Sequence, residues 1–175
     1  MLEKFVTDKV TVLIDADKLS KSVEIAGFKV NYRKLRRYFQ KQCNLVYLGF
    51  YTVAFSSKVH QEFLKALKAK QYAIVTKPLK VIWDYKNSKE VHKANFDVEI
   101  AVDAMDKLDE YDTFILFSGD SDFDYLIRRL KEKGKRVLVF STRFHVAKEL
   151  IGSCDKYFDV LTLKEDFLIK RGKEH

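Results

Sequence analysis

Short apolar runs alternate with amphipathic stretches along most of the 175-residue chain, and this alternation limits the fold more than any other feature. Strand-like runs lie at about 10–14, 45–53, 113–117, 136–140 and 157–161, and two shorter ones inside 72–85 are interrupted near Lys77-Pro78. Helical spacing of apolar residues predicts helices at about 31–42, 57–70, 96–109, 125–133 and 144–151. Parallel strands need such crossover helices, so the sequence predicts an α/β fold whose mainly parallel sheet is covered on both faces.

The length and composition predict a single folded domain. At roughly 100–200 residues per domain there is little room for a second one, so we expect one domain over 1–175 with a core at about 8–161. Hydrophobic residues make up 47% of the chain, which excludes disorder as its main state. The apolar tail 167–169 has two interpretations: it forms a contact in a homodimer, or it folds back on its own domain.

The charge and the cysteine content narrow the choice of partners and compartment. A formal net charge of +8 favours a polyanionic partner such as nucleic acid, although a basic soluble surface gives the same value. The two cysteines, Cys43 and Cys154, form no Cys/His cluster, which argues against a disulfide scaffold or a structural zinc site. No apolar run approaches the roughly 18 residues of a membrane helix, and the acidic Glu3 and Asp8 argue against a signal peptide. We therefore expect a cytoplasmic protein that does not bind membranes.

Acidic residues follow two of the predicted strands at the points where these strands end. Asp15 directly follows the strand-like run at 10–14, and Asp120 and Asp122 follow the run at 113–117. Asp97 lies near the start of a predicted helix whose N-terminus could face the same edge of the sheet. Carboxylates brought together repel one another unless a cation is present, and hard oxygen ligands with few histidines select Mg²⁺ or Mn²⁺. The acids therefore predict a metal site at the carboxyl edge of the sheet.

Each of these acids also has a purely structural interpretation. Asp15 could simply end a strand, and Asp120 and Asp122 could be turn acids stabilised by the dipole of the following helix. Asp97 could likewise be a helix-start acid. Asp103 lies about 120° around the predicted helix from Asp97, so we expect it to support or cap another group.

Three segments resemble the motifs of the NYN domain, a family of the PIN-like nuclease superfamily that includes LabA-like proteins. They are Ile14-Asp15-Ala16-Asp17, the segment from Asn95 to Asp103 that contains Asn95-Phe96-Asp97, and Ser118-Gly119-Asp120-Ser121-Asp122-Phe123. Their order and spacing match from about residue 10 to residue 158, and the last motif is the most specific. The resemblance implies a three-layer α/β/α sandwich of the PIN-like type that binds one or two divalent cations and cleaves RNA.

The resemblance also implies roles for individual residues. Four aspartates would form the catalytic centre that holds Mg²⁺ or Mn²⁺: Asp15, Asp97, Asp120 and Asp122. Ser118 would shape the turn after its strand, and Asp103 would support the cluster. A water activated by the cation would be the nucleophile, so no covalent intermediate is expected.

The chain departs from the family pattern in two motifs. The first motif usually has Gly after its aspartate and Asn three positions on, where this chain has Ala16 and Lys18. Either Lys18 contacts phosphate in place of the Asn, or Asp17 replaces it as a polar group. The second motif usually begins Lys-Gly-Val-Asp, where this chain has Ala94-Asn95-Phe96-Asp97. These departures bear on catalytic strength more than on the fold.

Basic and aromatic residues are interleaved in the segment that leads to Asp97. Its lysines are Lys77, Lys80, Lys86, Lys89 and Lys93, and its large aromatic residues are Trp83 and Tyr85. Phosphate contacts and stacking on aromatics are what single-stranded RNA requires, so this segment predicts an RNA surface, with Arg143 as a further candidate for phosphate. The other interpretation puts Trp83 in the core and the lysines on a solvated loop.

Two other functions compete with a ribonuclease. The first is a non-catalytic module of the same family that binds RNA or a protein, which Lys18 in place of the Asn favours. The second is a HAD-type phosphatase, because Asp15-Ala16-Asp17 after an apolar strand resembles a nucleophile motif. Against the phosphatase, Leu19 stands where Thr or Val is usual, and Asp97 would have no role.

Overall fold

The computed structural model describes residues 2–84, 86 and 89–172. Its strands are β1 (Lys9–Asp15), β2 (Phe28–Val30), β3 (Asn44–Ala54), β4 (Ala73–Pro78), β5 (Lys80–Asp84), β6 (Lys89–Lys93), β7 (Thr113–Phe117), β8 (Arg136–Ser141), β9 (Lys156–Asp159) and β10 (Leu168–Lys170). Its helices are α1 (Ala16–Ile25), α2 (Tyr32–Gln42), α3 (Lys58–Ala69), α4 (Asp97–Asp106), α5 (Asp124–Glu132), α6 (Lys148–Ser153) and α7 (Lys164–Phe167). Within this part of the chain, no helix is both long and apolar enough to cross a membrane.

Six of the described strands form one parallel sheet in the order β4-β3-β1-β7-β8-β9. The chain first builds one half of this sheet, from β1 to β3 and β4, and then the other half, from β7 to β8 and β9. The direction of winding therefore reverses between β1 and β7, which pair directly. In open parallel sheets, ligands bind at the carboxyl ends of the strands at such a reversal. The fold thus places its binding crevice where Asp15 ends β1 and Asp120 follows β7.

Alternate residues of the central strands face opposite sides of the sheet and build two apolar cores. Val12 and Ile14 of β1 belong to the core that α1, α2 and α7 cover, whereas Leu13 belongs to the core that α4, α5 and α6 cover. Fully buried aromatic side chains such as Phe117 and Phe140 stack within the first core. A parallel sheet covered by helices on both faces is the predicted three-layer α/β/α sandwich, which is thereby confirmed.

The segment between β4 and α4 forms a hairpin rather than the solvated loop of the alternative interpretation. β5 and β6 pair antiparallel as a separate two-stranded sheet, with Lys80 opposite Lys93. Trp83 on β5 is 49% exposed and belongs to neither core, so the interpretation that buried it is wrong. The hairpin holds this side chain outside the six-stranded sheet.

The C-terminal tail folds back on its own domain. β10 pairs antiparallel with β2, and Phe167 is fully buried in the first core. The same apolar core also includes Leu2 and Leu168, from the two ends of the chain. Ile169 on β10 remains 49% exposed, and a homodimer contact through it stays a prediction.

Candidate metal centre

Three of the four predicted aspartates converge at the crevice between β1 and β7. Asp97, Asp120 and Asp122 each offer a carboxylate oxygen, and these oxygens all lie within 4.8 Å of one another. Asp97 is the first residue of α4, whereas Asp120 and Asp122 lie in the loop and 3-10 turn that follow β7. The three residues come from separate parts of the chain, because α4 precedes β7 whereas Asp120 and Asp122 follow it.

Asp97 has an oxygen that the described residues leave without a partner. Its backbone N–H donates to Oδ1 of Asn95 at 2.8 Å, which fixes the start of α4. Its own Oδ1 is buried and accepts no hydrogen bond in the described part of the chain. Burial is the largest effect and raises the pKa of Asp97, whereas the hydrogen bond of Asn95, the next largest effect, lowers it. The charges of Asp120 and Asp122 raise this pKa further, and the charge of Lys18 opposes them, so the pKa is raised overall. An unpartnered buried carboxylate oxygen costs free energy, and a bound cation would satisfy it.

The turn after β7 arranges the other two carboxylates. Oγ of Ser118 accepts from the Asp120 N–H at 3.3 Å, and Oδ1 of Asp120 accepts from the Asp122 N–H at 3.3 Å. Ser118 is buried, so this hydroxyl holds the turn from beneath, as the predicted turn-shaping role requires. Gly119 lies between them, and its carbonyl accepts from the Ala147 N–H at 2.9 Å.

Gly119 allows the β7 turn to pack directly on the loop that follows β8. A Cβ added at Gly119 would lie 1.6 Å from the backbone oxygen of His145 and 2.7 Å from Oγ of Ser141. Because a backbone atom is in the way, we expect Gly119→Ala to cost about 2 kcal/mol, lowering Tm by about 6 °C, and to weaken Mn²⁺ binding. Thermal unfolding and a Mn²⁺ titration measure the two effects.

Gly152→Ala is the matched control for this variant. Gly152 lies in α6, and a Cβ there would meet nothing within 4 Å. We expect this exchange to leave Mn²⁺ binding unchanged and to leave Tm equal or slightly higher, because Ala favours helix over Gly. Equal Tm values for the two variants would contradict the role assigned to the close packing at Gly119.

Asp15 is buried beside the three-carboxylate group without being one of its members. It is 3% exposed, and its Oδ1 caps α1 by accepting from the Lys18 N–H at 3.2 Å. Burial, the largest cause, raises the pKa of Asp15 to about 6, with smaller contributions from the charges of Asp17 and Asp97. The capping bond favours the charged form but does not offset burial. Asp15 thus adds negative charge to the crevice at a cost in folding free energy.

Asp15→Asn is expected to stabilise the metal-free protein. The folded state keeps the Asp15 proton up to a pH of about 6, whereas the unfolded chain releases it near its ordinary value of 3.8. The contribution of Asp15 to stability therefore falls as pH rises from about 4 to 6, and above that the charged carboxylate costs about 3 kcal/mol. Asn caps a helix about as well as Asp, so we expect a gain in Tm of about 6 °C at pH 7.5 in EDTA. A gain that is as large at pH 4 as at pH 7.5 would contradict burial of the charge as its cause.

Lys18 binds one of the three grouped carboxylates. Its Nζ lies 2.7 Å from Oδ2 of Asp120, although the Lys18 side chain is 48% exposed. Burial acts to raise the pKa of Asp120, but the hydrogen bond of Lys18, the hydrogen bond from the Asp122 N–H and the charge of Lys18 together outweigh it and lower the pKa. The same hydrogen bond raises the pKa of Lys18. Asp17 points elsewhere: its Oδ1 accepts from Oγ1 of Thr52 at 3.4 Å, and burial raises its pKa. The structure thus places Lys18, and not Asp17, in the crevice.

Asp103 connects α4 to the sheet. Its Oδ2 accepts from the Tyr51 hydroxyl at 2.6 Å, and Tyr51 pairs in register with Asp15 across β1 and β3. Burial and this hydrogen bond both raise the pKa of Tyr51, so the phenol stays a donor. The Tyr51 ring also contacts that of Phe96, the residue before Asp97. Tyr51 was not among the predicted site residues, and no local pattern marks a tyrosine inside a strand as a support for a distant helix.

The predicted RNA-binding residues lie in two places, the β5–β6 hairpin and the loop that follows β8. Lys80 and Lys86 are exposed on the hairpin, as is Trp83. Lys89 and Lys93 belong to β6 by their backbones, but their side chains, like the whole of Tyr85, lie outside the described residues. Arg143 follows the carboxyl end of β8, with its Nε 3.4 Å from Oδ2 of Asp159 and its guanidinium over the Phe144 ring. It is exposed on the same edge of the sheet as the carboxylates.

Comparisons with known proteins agree with this architecture. The sequence profile of the NYN domain matches residues 9–162. The chain is 30% identical to the low amplitude and bright protein LabA of Synechococcus elongatus over 159 residues, which cover 89% of this chain and 86% of that protein. A crystal structure of a protein of unknown function from Vibrio parahaemolyticus superposes with a TM-score of 0.78, covering 93% of this chain and 96% of that one at 24% identity, and so has the same fold. The chain belongs to the NYN domain family, within the PIN-like nuclease superfamily.

Proposed function

We propose that this protein is a metal-dependent ribonuclease that hydrolyses phosphodiester bonds of single-stranded RNA. The observation that carries the proposal is the grouping of one carboxylate oxygen each from Asp97, Asp120 and Asp122 within 4.8 Å of one another. The buried Oδ1 of Asp97, which lacks a partner among the described residues, adds to it. Oxygen-only ligands of this kind suit Mg²⁺ or Mn²⁺. Asp15 would complete the centre as a fourth source of negative charge. The family match favours this function over the HAD-type phosphatase.

The side chains around the crevice have distinct parts in this function. A divalent cation, when bound, neutralises charge on the phosphodiester and activates water for attack. Asp97, Asp120 and Asp122 would hold it, and the turn at Ser118 keeps two of these carboxylates in place. Lys18 would supply a positive charge to a phosphate oxygen from beside Asp120.

The substrate is inferred from the surface around the crevice. Exposed cations at Lys80, Lys86 and Arg143 would contact phosphates, and the exposed rings of Trp83 and Phe144 offer faces on which unpaired bases could stack. The backbones of Lys89 and Lys93 place two further lysines on the same hairpin. Bases inside a duplex are already stacked, so this surface favours a single strand. A cytoplasmic location, consistent with two unpaired cysteines, is part of the same proposal.

One observation favours a second function, a non-catalytic RNA-binding module. The Lys18 ammonium already pairs with Asp120, so the described residues neutralise one of the three carboxylates without a metal. A chain that only binds RNA would keep such an ion pair permanently. The two functions differ in whether a cation displaces Lys18 from Asp120.

Metal-dependent cleavage decides between these functions. With Mn²⁺ or Mg²⁺, we expect the purified protein to cut a labelled single-stranded RNA, and we expect EDTA or Asp120→Asn to abolish the products, because either change removes the metal or one of its ligands. Equal products from the wild type and Asp120→Asn would show a contaminating nuclease and contradict the proposal. RNA that is bound but never cut would favour the module. Phosphate release from a small phosphomonoester would favour the phosphatase.

A further inference from the structure

A cavity of about 360 Å³ opens beside the carboxylates, between α1 and the ends of β7 and β8. Its apolar and hydroxyl lining comes from Leu19, Ser22, Ile25, Phe117, Phe140 and Ser141. Asp120 belongs both to the lining of this cavity and to the three-carboxylate group, and Ser118 and Gly119 of the same turn also line the cavity. The volume falls within the range of pockets that enclose small ligands, roughly 300–1,000 Å³. A group bound here would be adjacent to whatever the carboxylates hold.

An exposed apolar side chain, that of Ile25, lies at the rim of the cavity. Ile25, near the C-terminal end of α1, is 74% exposed, whereas Leu19 of the same helix is buried in the core. The fully buried rings of Phe117 and Phe140 lie behind the cavity, so its walls are mainly apolar. A flat apolar group that slid between Ile25 and the strand ends would be removed from water on both faces.

Positive charge lies at the mouth of the same cavity. Lys18 and Lys21, one turn apart on α1, both line it, and the Lys18 ammonium lies 2.7 Å from Asp120. Apolar walls beside cations and a carboxylate group match the parts of a nucleotide: a base for the walls and phosphates for the lysines and a bound cation. A peptide or a lipid would also fit the apolar walls, but neither would explain why the cavity adjoins the carboxylate group. A nucleotide explains both features.

We propose that this cavity is a nucleobase subsite. It takes the base of the nucleotide next to the phosphate held at the metal centre, and Ile25 forms its outer wall. This inference depends on the proposed function for the identity of the strand. A base can enter only from an unpaired strand, because a base in a duplex is stacked and paired on both sides. The subsite therefore gives the protein a structural reason to select single strands.

Binding of short RNA strands with single abasic positions tests the subsite. The probe is a fluorescein-labelled five-nucleotide RNA of mixed sequence, compared with strands that lack one base each. Fluorescence anisotropy in Ca²⁺ measures affinity, and a gel verifies that the strands stay intact. The variant is Ile25→Ser, and the matched control is Ile151→Ser, an exposed isoleucine on α6 that does not line the cavity. Ile25 is 74% exposed and Ile151 46% exposed, and neither belongs to an apolar core, so neither change should unfold the protein. Thermal unfolding verifies this.

We expect removal of one particular base to weaken wild-type binding about five-fold more than removal of the others, in line with the contribution of one stacked base. Ile25→Ser should weaken binding of the intact strand by a similar factor and remove the dependence on that position, whereas Ile151→Ser should behave as the wild type. A duplex of the same sequence should compete poorly. Equal affinities for all abasic strands, an unchanged Ile25→Ser, or a duplex that competes equally would overturn the subsite.

Cleavage measured on the same preparation separates the subsite from the proposed function. Position-dependent binding without any cleavage would support the subsite and overturn the ribonuclease, leaving the binding module. Cleavage without position-dependent binding would overturn the subsite and leave the ribonuclease standing. Failure to bind the strands at all would overturn the subsite directly.

Discussion

Asp97→Asn is expected to lower RNA cleavage by a factor on the order of a hundred to a thousand, the loss typical when one charge-stabilising group is removed from a catalytic centre. Asp97 contributes one of the three grouped carboxylates, and its buried Oδ1 is the atom without a partner among the described residues. An amide offers that position an oxygen without a charge, which weakens the attraction for a divalent cation. Cleavage rates at several Mn²⁺ concentrations, beside a calorimetric Mn²⁺ titration without RNA, measure the effect.

Asp106→Asn provides the matched control on the same helix. Asp106 is the exposed last residue of α4, so the exchange removes the same charge far along the helix from the carboxylate group. We expect the control to cleave RNA and bind Mn²⁺ as the wild type does. Asp97→Asn should not be less stable than the wild type in EDTA, because it removes a partly buried charge whose pKa is raised. If Asp97→Asn kept full activity while Asp120→Asn lost it, the three-carboxylate centre would be wrong.

Lys18→Met is expected to tighten Mn²⁺ binding about five-fold in the absence of RNA. The ammonium of Lys18 and a divalent cation compete for Oδ2 of Asp120, which lies 2.7 Å from Nζ. The pair is partly exposed, so solvent screening limits its strength to about 1 kcal/mol, and removing it should raise cation affinity by the corresponding factor. Met is close to Lys in length but carries no charge, so the packing of α1 should change little. Calorimetry at low salt measures the dissociation constant for Mn²⁺.

Lys21→Met distinguishes competition between the Lys18 ammonium and the cation for Asp120 from a general change in the electrostatic potential of the crevice. Lys21 is exposed on the same helix, and no ion pair joins it to Asp97, Asp120 or Asp122 among the described residues. Its loss removes one positive charge near the crevice without freeing Asp120, so we expect a smaller increase in affinity, below two-fold by the screening of exposed charges. Equal increases for both lysine variants would mean that the ion pair itself does not compete with the cation.

The order of the acids along the chain allows much of the metal centre to be predicted. Asp15 follows one apolar strand and Asp120 another, and parallel strands bring their carboxyl ends to one edge. Asp97 is the first residue of a helix whose apolar spacing is visible in the sequence. These signals are local, so a reader of the sequence can find each acid and expect them to be neighbours. The structure confirms that Asp97, Asp120 and Asp122 converge, and Asp15 lies next to them as a buried cap.

The ion pair and the hydrogen bond that surround the three-carboxylate group join residues far apart in the chain. Lys18 and Asp120 are 102 positions apart, and Tyr51 and Asp103 are 52 apart. No spacing rule connects such residues, because their meeting depends on the order of strands in the sheet. The close packing of Gly119 on His145 is of the same kind, since the sequence shows a glycine but not the backbone that excludes a side chain.

The sequence by itself determined the class of fold, the family motifs and the acids at the strand ends, because these depend on the periodicity of neighbouring residues. It did not reveal α1, whose buried face is marked by Leu19 and Val23 in an otherwise polar stretch. Only the tertiary structure decided that Lys18 binds Asp120, that Trp83 is exposed and that the tail pairs with β2. Each of these depends on which surfaces remain uncovered once the sheet has been assembled, and that is a property of the whole packed chain.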